Sequence, residues 1–334
     1  MATIKDVARD AGVSVATVSR VINNSPKASK QSVAAVTVAM KKLGYRPNAN
    51  ARALVNQSTN TVGVLVSDVA DPFFGAMVKA VDNVAHEHGK HILVCNGYHD
   101  EEQERKAIEL LINSRCESLV IHAKSISDEE LIAYADEVPA LVIINRSIPG
   151  LETRCIALDN YRGAYMATEH LIKLGHKNIA CLASSHEIED STQRVEGYQA
   201  ALDAHNINLP ASFIEYGEPN NDGGETSMTN LLAKSLKMTA IVSYNDYMAA
   251  GAISVLQENS RQLPDEISII GFDDGLIARY LQPRLTTVRY PIALMAEKAA
   301  RLSIALARGE KDPSEVLMFS PTLVKRDSVQ KRAD

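Results

Sequence analysis

The sequence predicts a small α-helical head of helix-turn-helix type, followed by an α/β body with two lobes, each built on a doubly wound parallel sheet. Three features of the 334-residue chain lead to this fold class. Residues 1–46 contain three short helical segments separated by Gly and Ser. From residue 59 onward, short apolar segments alternate with helical segments, in two consecutive series. The balance of charge also changes between head and body, since residues 1–60 contain nine Lys and Arg against two Asp.

This charge distribution places a basic head on an acidic body. The head carries a net charge of +7, which leaves −13 for the remainder because the whole chain carries −6. Such an asymmetry indicates a polyanionic partner for the head alone. A solvated basic face is the alternative, so the decision depends on whether the head contains a DNA-binding motif.

The composition is typical of a soluble globular protein, with 46% hydrophobic and 23% charged residues. No apolar run approaches the ~18 residues of a membrane span, and residues 1–10 contain no apolar signal-peptide core. We therefore expect a cytoplasmic protein without a membrane partner. The cysteines are scattered and have no CxxC spacing, so we expect reduced thiols, no metal site and no cofactor.

A helix-turn-helix is predicted at the start of the head. Thr3 and Asp6 have the spacing of a capping box that opens a first helix. Gly12 ends that helix, because glycine tolerates the left-handed conformation of a sharp turn. Ser14 caps a second helix, VATVSRVI, in which Val18 faces the first.

A third helix completes the head. Ser29 caps the segment KQSVAAVTVAMKKL, and Gly44 closes it. In this arrangement the second helix would enter the major groove of DNA. The pattern alone also fits a generic three-helix bundle.

The exposed positions of the second helix suit different parts of DNA. Val15 and Ala16 can pack against base edges such as a thymine methyl group. Thr17 and Ser19 can bond phosphate or base, and Arg20 can reach a guanine or a phosphate. With the flanking loops and the linker, the predicted DNA-contacting residues are Thr3, Val15, Ala16, Thr17, Ser19, Arg20, Asn23, Lys27, Ser29, Asn48 and Leu54.

Residues 47–58 are a predicted linker between the head (residues 1–46) and the body (residues 59–334). Pro47 stops the third helix, and Asn48 can cap a short helix, ANARALVN. An isolated helix of about nine residues is marginal in water. The segment is therefore either a flexible linker or a hinge helix that folds only with DNA and a dimer partner.

The body reads as two series of strands and helices. The predicted strands are TVGVLVS, HILVC, SLVIH and ALVIIN, then NIACLA, TAIVSY and EISIIGF. Helices are predicted to start at Asp71-Pro72 and to lie near residues 101–114, 127–136, 160–174, 191–205, 224–235 and 246–258. The expected lobes comprise about residues 59–158 plus 291–318 and about residues 159–288 plus 319–330. A ligand cleft is expected between them, at the carboxyl ends of the strands.

Polar residues collect at these strand ends. A sugar needs hydrogen bonds from carboxylates, an amide and a guanidinium, together with an aromatic face. Those groups are supplied by Asp68, Phe74, Arg194, Asn245 and Asp273. Two alternatives stay open, since Asn245 could merely cap the following helix and Arg194 could lie on an exposed helix face.

Several segments resemble the lactose-repressor family of bacterial regulators. They include TIKDVARDAGVSVATVSRVINNSPKAS and GYRPNANARAL in the head and linker, and DPFFGAMVKAV, LDNYRGAYMATEHLIKLGHKNIA and SIIGFDDGLIARYLQPRLTTVRYP in the body. Within the family the resemblance points to its galactose-responsive members. It implies the architecture of periplasmic sugar-binding proteins, a homodimer, a pseudo-palindromic double-stranded operator and a galactose-like sugar as allosteric effector.

The resemblance also implies roles for individual residues. Arg194 lies in the R-x-x-G-Y motif where the family binds its effector, and Asp159 and Asp273 match cleft-facing positions. Leu54 matches a leucine that inserts between base pairs in the minor groove. The expected effector-binding residues are Asp68, Phe74, His122, Asp159, Arg194, Tyr244, Asn245 and Asp273.

An enzyme is not expected. The sequence has no GxGxxG or Walker A loop, no HExxH and no GxSxG, so no catalytic residues are predicted. Two alternatives to the galactose repressor remain: a repressor of the same family with another ligand, and a sugar-binding transport receptor. The basic head and the lack of a signal peptide disfavour the receptor.

Overall fold

The computed structural model describes residues 2–23, 25–45, 59–310 and 317–332. The chain forms two compact units, residues 1–59 and residues 60–334. The linker, with Asn48 and Leu54, lies outside the described residues, so the hinge helix stays a prediction. None of the helices in the described ranges is long and apolar enough to cross a membrane.

The described part of the head consists of α1 (Ile4–Asp10), α2 (Val15–Ile22) and α3 (Lys30–Leu43). The capping box is confirmed, because the Asp6 amide donates to Thr3 Oγ1 at 3.3 Å and the Thr3 amide donates to Asp6 Oδ2 at 3.0 Å. Gly12 and Gly44 follow α1 and α3 with φ of 64° and 60°, the left-handed conformation expected of them.

The three helices share a small core. Val7 and Ala8 of α1, Val18 of α2, and Val36 and Ala39 of α3 are buried together. These five side chains confirm the crossing of the first two helices that the sequence predicted.

The body contains twelve strands and eight α-helices in its described part. The strands are β1 (Thr59–Val66), β2 (His91–Asn96), β3 (Cys116–Ile121), β4 (Leu141–Ile144), β5 (Cys155–Leu158), β6 (Ile179–Ser184), β7 (Ile214–Gly217), β8 (Ala240–Ser243), β9 (Ser268–Asp273), β10 (Thr286–Arg289), β11 (Met318–Phe319) and β12 (Thr322–Val324). The helices are α4 (Pro72–Glu87), α5 (Glu101–Asn113), α6 (Asp128–Glu137), α7 (Asn160–Lys173), α8 (Glu189–Ala204), α9 (Asn221–Ala233), α10 (Asp246–Glu258) and α11 (Ile292–Ala307).

The strands form two six-stranded sheets, which confirms the predicted α/β body with two lobes. The first sheet has the order β11-β5-β4-β3-β1-β2 and the second β12-β10-β9-β8-β6-β7. The second sheet is parallel except where β12 pairs antiparallel with β10. In the first sheet, parallel pairs are formed by β1 with β2, β3 with β4, β4 with β5, and β5 with β11. The chain passes between the sheets after β5, after β10 and after β11.

The sequence prediction missed β5, β7, β10, β11 and β12. β11 and β12 have only two and three residues. The other three have four, as do the recognised β4 and β8, but they were not part of a predicted apolar segment such as ALVIIN. The two lobes also share buried apolar side chains. One apolar cluster contains Val66 and Met295 from the first lobe and Ile179 and Phe272 from the second.

Two helical glycines test the packing of the body. A Cβ on Gly197 of α8 would lie 2.2 Å from the carbonyl oxygen of Tyr161 in α7, whereas a Cβ on Gly75 of α4 would have no neighbour within 4 Å. We predict that Gly197→Ala lowers the free energy of unfolding by about 1–3 kcal/mol, because α7 and α8 must separate. Gly75→Ala should raise it by about 0.5–1 kcal/mol through helix propensity. Denaturant titration of both variants measures the difference, and equal stabilities would contradict the close crossing.

Candidate functional site

A cavity of about 70 Å³ lies between the two lobes, at the carboxyl ends of the strands. Both lobes contribute aromatic, amide and carboxylate groups, and the second lobe also contributes the Arg194 guanidinium. Six of the predicted effector-binding residues line this cavity together: Phe74, His122, Arg194, Tyr244, Asn245 and Asp273.

The other two predicted residues lie elsewhere. Asp68 lines an adjoining concavity of about 430 Å³, which forms a mouth beside the cavity. Asp159 is exposed and caps α7, where its carboxylate accepts from the Arg162 amide at 2.8 Å. Asp159 follows β5, where the chain leaves the first sheet, and the structure does not place it at the cavity.

Backbone conformation marks the same site. Asn145 after β4 has φ of 61°, Asp273 at the end of β9 has φ of 111°, and His99 after β2 has φ of 53°. Such left-handed non-glycine residues are costly and are often found at functional sites. Three residues that line the cavity therefore have an unfavourable backbone conformation, which a connection from a strand to a helix does not normally need.

Arg194 is held rigidly by the second lobe. Its Nε donates to Asn160 Oδ1 at 2.9 Å, and its Nη1 donates to the Tyr244 carbonyl at 2.6 Å. The guanidinium carbon lies 3.7 Å from the ring centroid of Phe272 and 4.4 Å from that of Tyr244. With Nε and Nη1 committed, Arg194 presents a fixed positive charge more than a two-pronged hydrogen-bonding fork.

Asn245 caps the following helix, which is the first of the two alternatives left open by the sequence. Its Oδ1 accepts from the Met248 amide at 2.8 Å, and its Nδ2 donates to the Pro219 carbonyl at 2.8 Å. Both functional groups are therefore engaged in fixing the start of α10 beside the cavity. Phe73, which is not among the expected effector-binding residues, lines the cavity together with Phe74.

Neutral imidazoles occupy the first-lobe side of the cavity. His122 is buried, and burial, followed by the charge of Lys124, holds its pKa well below the usual range. Burial, followed by the neighbouring His186, lowers the pKa of His99 to about 4. Ser67 Oγ lies 3.3 Å from the Nδ1 atoms of both His99 and His122. These rings therefore present neutral hydrogen-bonding groups near pH 7.

Two buried polar atoms at the cavity lack a partner. They are Oδ1 of Asn145 and the hydroxyl of Tyr290. A buried polar atom without a hydrogen bond is costly, so these atoms indicate where ligand hydroxyls or waters bind. Neither residue is among the expected effector-binding residues, although Asn145 is the polar residue that ends the predicted strand ALVIIN, and Asp190 was missed as well. One signal could have revealed Asp190, because it lies four residues before Arg194 on the same face of α8.

The head carries its predicted contact residues on the surface. Thr3, Val15, Ala16, Arg20, Asn23, Lys27 and Ser29 are exposed, and Thr17 and Ser19 are half-buried. Both acids of the head are already paired, Asp6 with Arg9 at 3.3 Å and Asp10 with Lys42 at 2.6 Å. In the described part of the head, the basic side chains left without an ion pair are Lys5, Arg20, Lys27, Lys30 and Lys41.

Comparison with known proteins matches both units. Residues 3–48 match the family described as bacterial regulatory proteins, lacI family. Residues 168–329 match the periplasmic binding protein-like domain. The transcriptional regulator GalR of Escherichia coli strain K12 is 56% identical over 329 residues, which cover 98% of this chain and 96% of that protein. The chain belongs to the lacI family of bacterial regulatory proteins.

Other lacI-family proteins extend the comparison. The transcriptional regulator GalS of Salmonella typhimurium is 52% identical over 98% of this chain and 97% of its own. A lac repressor dimer bound to operator and the anti-inducer ONPF superposes with a TM-score of 0.84, 26% identity and coverage of 98% of this chain and 99% of that chain. A CelR–cellobiose complex gives a TM-score of 0.71 at 29% identity, with coverage of 98% and 100%.

Family membership settles the class of protein. This lacI-family chain is a DNA-binding transcriptional regulator and not an enzyme. Among the described residues, no cluster of His, Cys, Asp or Glu could hold a metal ion.

A buried carboxyl group beneath the cavity gives a pH-dependent prediction. Asp246 Oδ1 accepts from Thr287 Oγ1 at 2.6 Å and Oδ2 accepts from the Gly275 amide at 2.7 Å, but burial raises the pKa of Asp246 from 3.8 to about 7. Because the folded pKa is the higher one, the proton stabilises the fold at low pH. Its contribution is lost as the pH rises from about 4 to about 7.

We predict that Asp246→Asn reduces this loss, because the amide retains the size of the carboxyl group and never ionises. Relative to the parent, the variant should gain about 1–3 kcal/mol of unfolding free energy between pH 5 and pH 8. Denaturant titrations at the two pH values measure the gain. An unchanged difference between variant and parent would show that Asp246 does not titrate in this range.

Proposed function

We propose that this chain is a repressor of galactose-utilisation genes, released from its operator when a galactose-like monosaccharide binds in the interlobe cavity. The observation that carries the proposal is the pairing of this cavity with a DNA-binding head. The similarity to GalR and GalS over nearly the whole chain supports galactose as the effector.

The size of the cavity favours one sugar ring. A buried water needs roughly 10–15 Å³ on this scale of volume, so about 70 Å³ accommodates roughly five to seven waters. Each water takes up about 30 Å³ in the liquid, which gives roughly 150–210 Å³ in all. A monosaccharide with about a dozen heavy atoms occupies a comparable volume, whereas a disaccharide needs about twice as much.

The chemistry of the lining favours a neutral, hydroxylated ligand. Asp273 and Asn145 Oδ1 can accept hydrogen bonds from hydroxyl groups, and Phe73 and Phe74 supply apolar ring surface. Rings of Phe73 and Tyr290 lie 4.9 Å apart in a T-shaped arrangement, which extends this surface. Sugars combine hydroxyl edges with apolar C–H faces, so the lining matches both. On this basis Asn145 and Tyr290 join the proposed effector-binding residues. Both carboxylate oxygens of Asp190 are already engaged, by Lys124 and by Asn145.

The head supplies the operator-binding part of the proposal. We assign residues 1–46 to DNA binding, residues 47–58 to a hinge, and residues 59–334 to effector binding and dimerisation, with the lobe boundaries predicted above. Exposed Val15, Ala16 and Arg20 would read bases in the major groove, while the unpaired basic residues neutralise phosphates. Two heads related by two-fold symmetry would bind a pseudo-palindromic operator, with Leu54 of each hinge in the minor groove.

An exposed apolar patch on the first lobe suits the homodimer. Val69, Tyr98 and Leu110 are 51%, 59% and 54% exposed and line a concavity of about 480 Å³. The patch borders β2, which is the edge strand of the first sheet. Apolar patches beside a free sheet edge are typical of protein interfaces.

A cytoplasmic location follows for a protein that binds chromosomal operators.

We predict that sugar size decides binding. D-galactose at about 100 times its dissociation constant should raise the unfolding free energy by ~2.7 kcal/mol, whereas lactose and cellobiose should leave it unchanged. A thermal-shift screen of the full chain measures this. The Arg194→Ala variant should lose the galactose response, and Arg162→Ala, on the exposed face of neighbouring α7, should keep it. A shift with the disaccharides, or none with any monosaccharide, would contradict the assignment.

A further inference from the structure

One buried ion pair joins the two lobes beside the cavity. Lys124 follows β3 of the first lobe, and Asp190 lies in the first turn of α8 in the second. Lys124 Nζ donates to Asp190 Oδ1 at 2.6 Å, and the two side chains are only 1% and 7% exposed. Opening the cleft would separate these groups and return both to water. The ion pair is therefore present only when the lobes are closed.

The loop that carries Lys124 is fixed in place from both sides. Glu104 of α5 is fully buried, and its carboxylate accepts from the amides of Lys124, Ser125 and Ile126 at 3.0, 2.9 and 3.1 Å. Arg146 Nη1 donates to the carbonyl of Ile126 at 2.8 Å. The ammonium group thus reaches the second lobe from a preorganised loop, so little conformational freedom is lost when it pairs.

Asp190 holds the amide of Asn145 in one orientation. Asp190 Oδ2 accepts from Asn145 Nδ2 at 2.6 Å, and Lys124 Nζ also donates to the Asn145 carbonyl. A carboxylate only accepts hydrogen bonds, so the NH₂ group of Asn145 must face Asp190. The opposite atom, Oδ1, is then the buried acceptor without a partner at the cavity.

We propose that Lys124 and Asp190 form an interlobe latch that positions the Asn145 side-chain oxygen as an acceptor for a sugar hydroxyl. Lobe closure and sugar recognition are then coupled, because the second lobe orients a binding group that belongs to the first. Lys124 is a positioning residue, since it does not line the cavity itself. This inference rests on the proposed sugar-binding function.

The electrostatics of Asp190 agree with a latch that closes in the charged form. Burial alone would raise the pKa of Asp190, but the charges of Lys124 and Arg194 outweigh burial and lower that pKa below its usual value. Removing one partner therefore leaves the other as an uncompensated buried charge. Removing both charges together leaves an uncharged pair of similar shape, in which the amide oxygen introduced by Asp190→Asn can still accept from Asn145.

The test is a double-mutant cycle on the full chain, with galactose affinity measured by calorimetry. Lys124→Met and Asp190→Asn should each weaken binding roughly 5- to 150-fold, the usual range of coupling between sites. The double variant should recover most of that loss. As a matched control, Lys173→Met removes the exposed 2.8 Å pair with Glu169 and should not change the affinity.

The outcomes separate this inference from the proposed function. If the parent chain binds no galactose, the proposed function fails. If the parent binds but the double variant is no better than Asp190→Asn alone, Asp190 acts on the sugar directly and the latch is refuted.

A second measurement uses the unaltered protein, in case a single variant does not fold. Selective ¹⁵N-asparagine labelling should show, among the slowly exchanging side-chain amides of the sugar-free chain, one that is assigned to Asn145 by its loss in Asn145→Ser. If the Asn145 amide exchanges as fast as the exposed ones, the latch is refuted as well.

Discussion

Parallel strands cannot be joined by tight turns, and the architecture of the body follows from this constraint. Each parallel pair needs a crossover, so all strands of a sheet end at the same edge. Two such edges face each other here, because the chain passes between the sheets at three points. Residues distant in sequence, such as Asn145 after β4 and Asp273 at the end of β9, therefore line one cavity.

Because the strands end at one edge, their carboxylates also lie close together there. In the second lobe, arginine side chains of the same lobe neutralise most of these carboxylates. Asp274 is buried between Arg326 and Arg289, with the Arg289 Nε atom 2.8 Å from its carboxylate. Asp273 lies 4.0 Å from Arg194, and burial raises its pKa well above the usual range despite that charge. Asp190 alone takes its partner from the other lobe. Among these carboxylates, it is the one whose ion-pair partner is lost when the lobes open.

The predictability of the fold depends on how local its signals are. The Thr3–Asp6 capping box, the Asp71-Pro72 helix start and the positive φ of Gly44 are encoded within a few residues, and the structure confirms them. The longer apolar strands were also recognisable. Short strands such as β7 and β11 were not, because they are defined by their neighbours in the sheet.

The cavity was predictable only in part. Strand-end residues such as Asp273 could be selected by position, and Arg194 by resemblance. Tyr290 could not, since its place at the cavity depends on the sheet order. Asp190 could have been found only through its spacing from Arg194. The orientation of the Asn145 amide is still less accessible to sequence, because it is set by a carboxylate 45 residues away.

In the proposed function, sugar occupancy of the cavity controls operator binding by the head. Fluorescence anisotropy of a labelled operator, titrated with galactose in the presence of the full chain, tests it most directly. We expect galactose to release the operator with a midpoint that follows the sugar affinity, and Arg20→Ala to bind the operator weakly at every sugar concentration. Undiminished operator binding at saturating galactose, with sugar binding verified by calorimetry on the same sample, would contradict it.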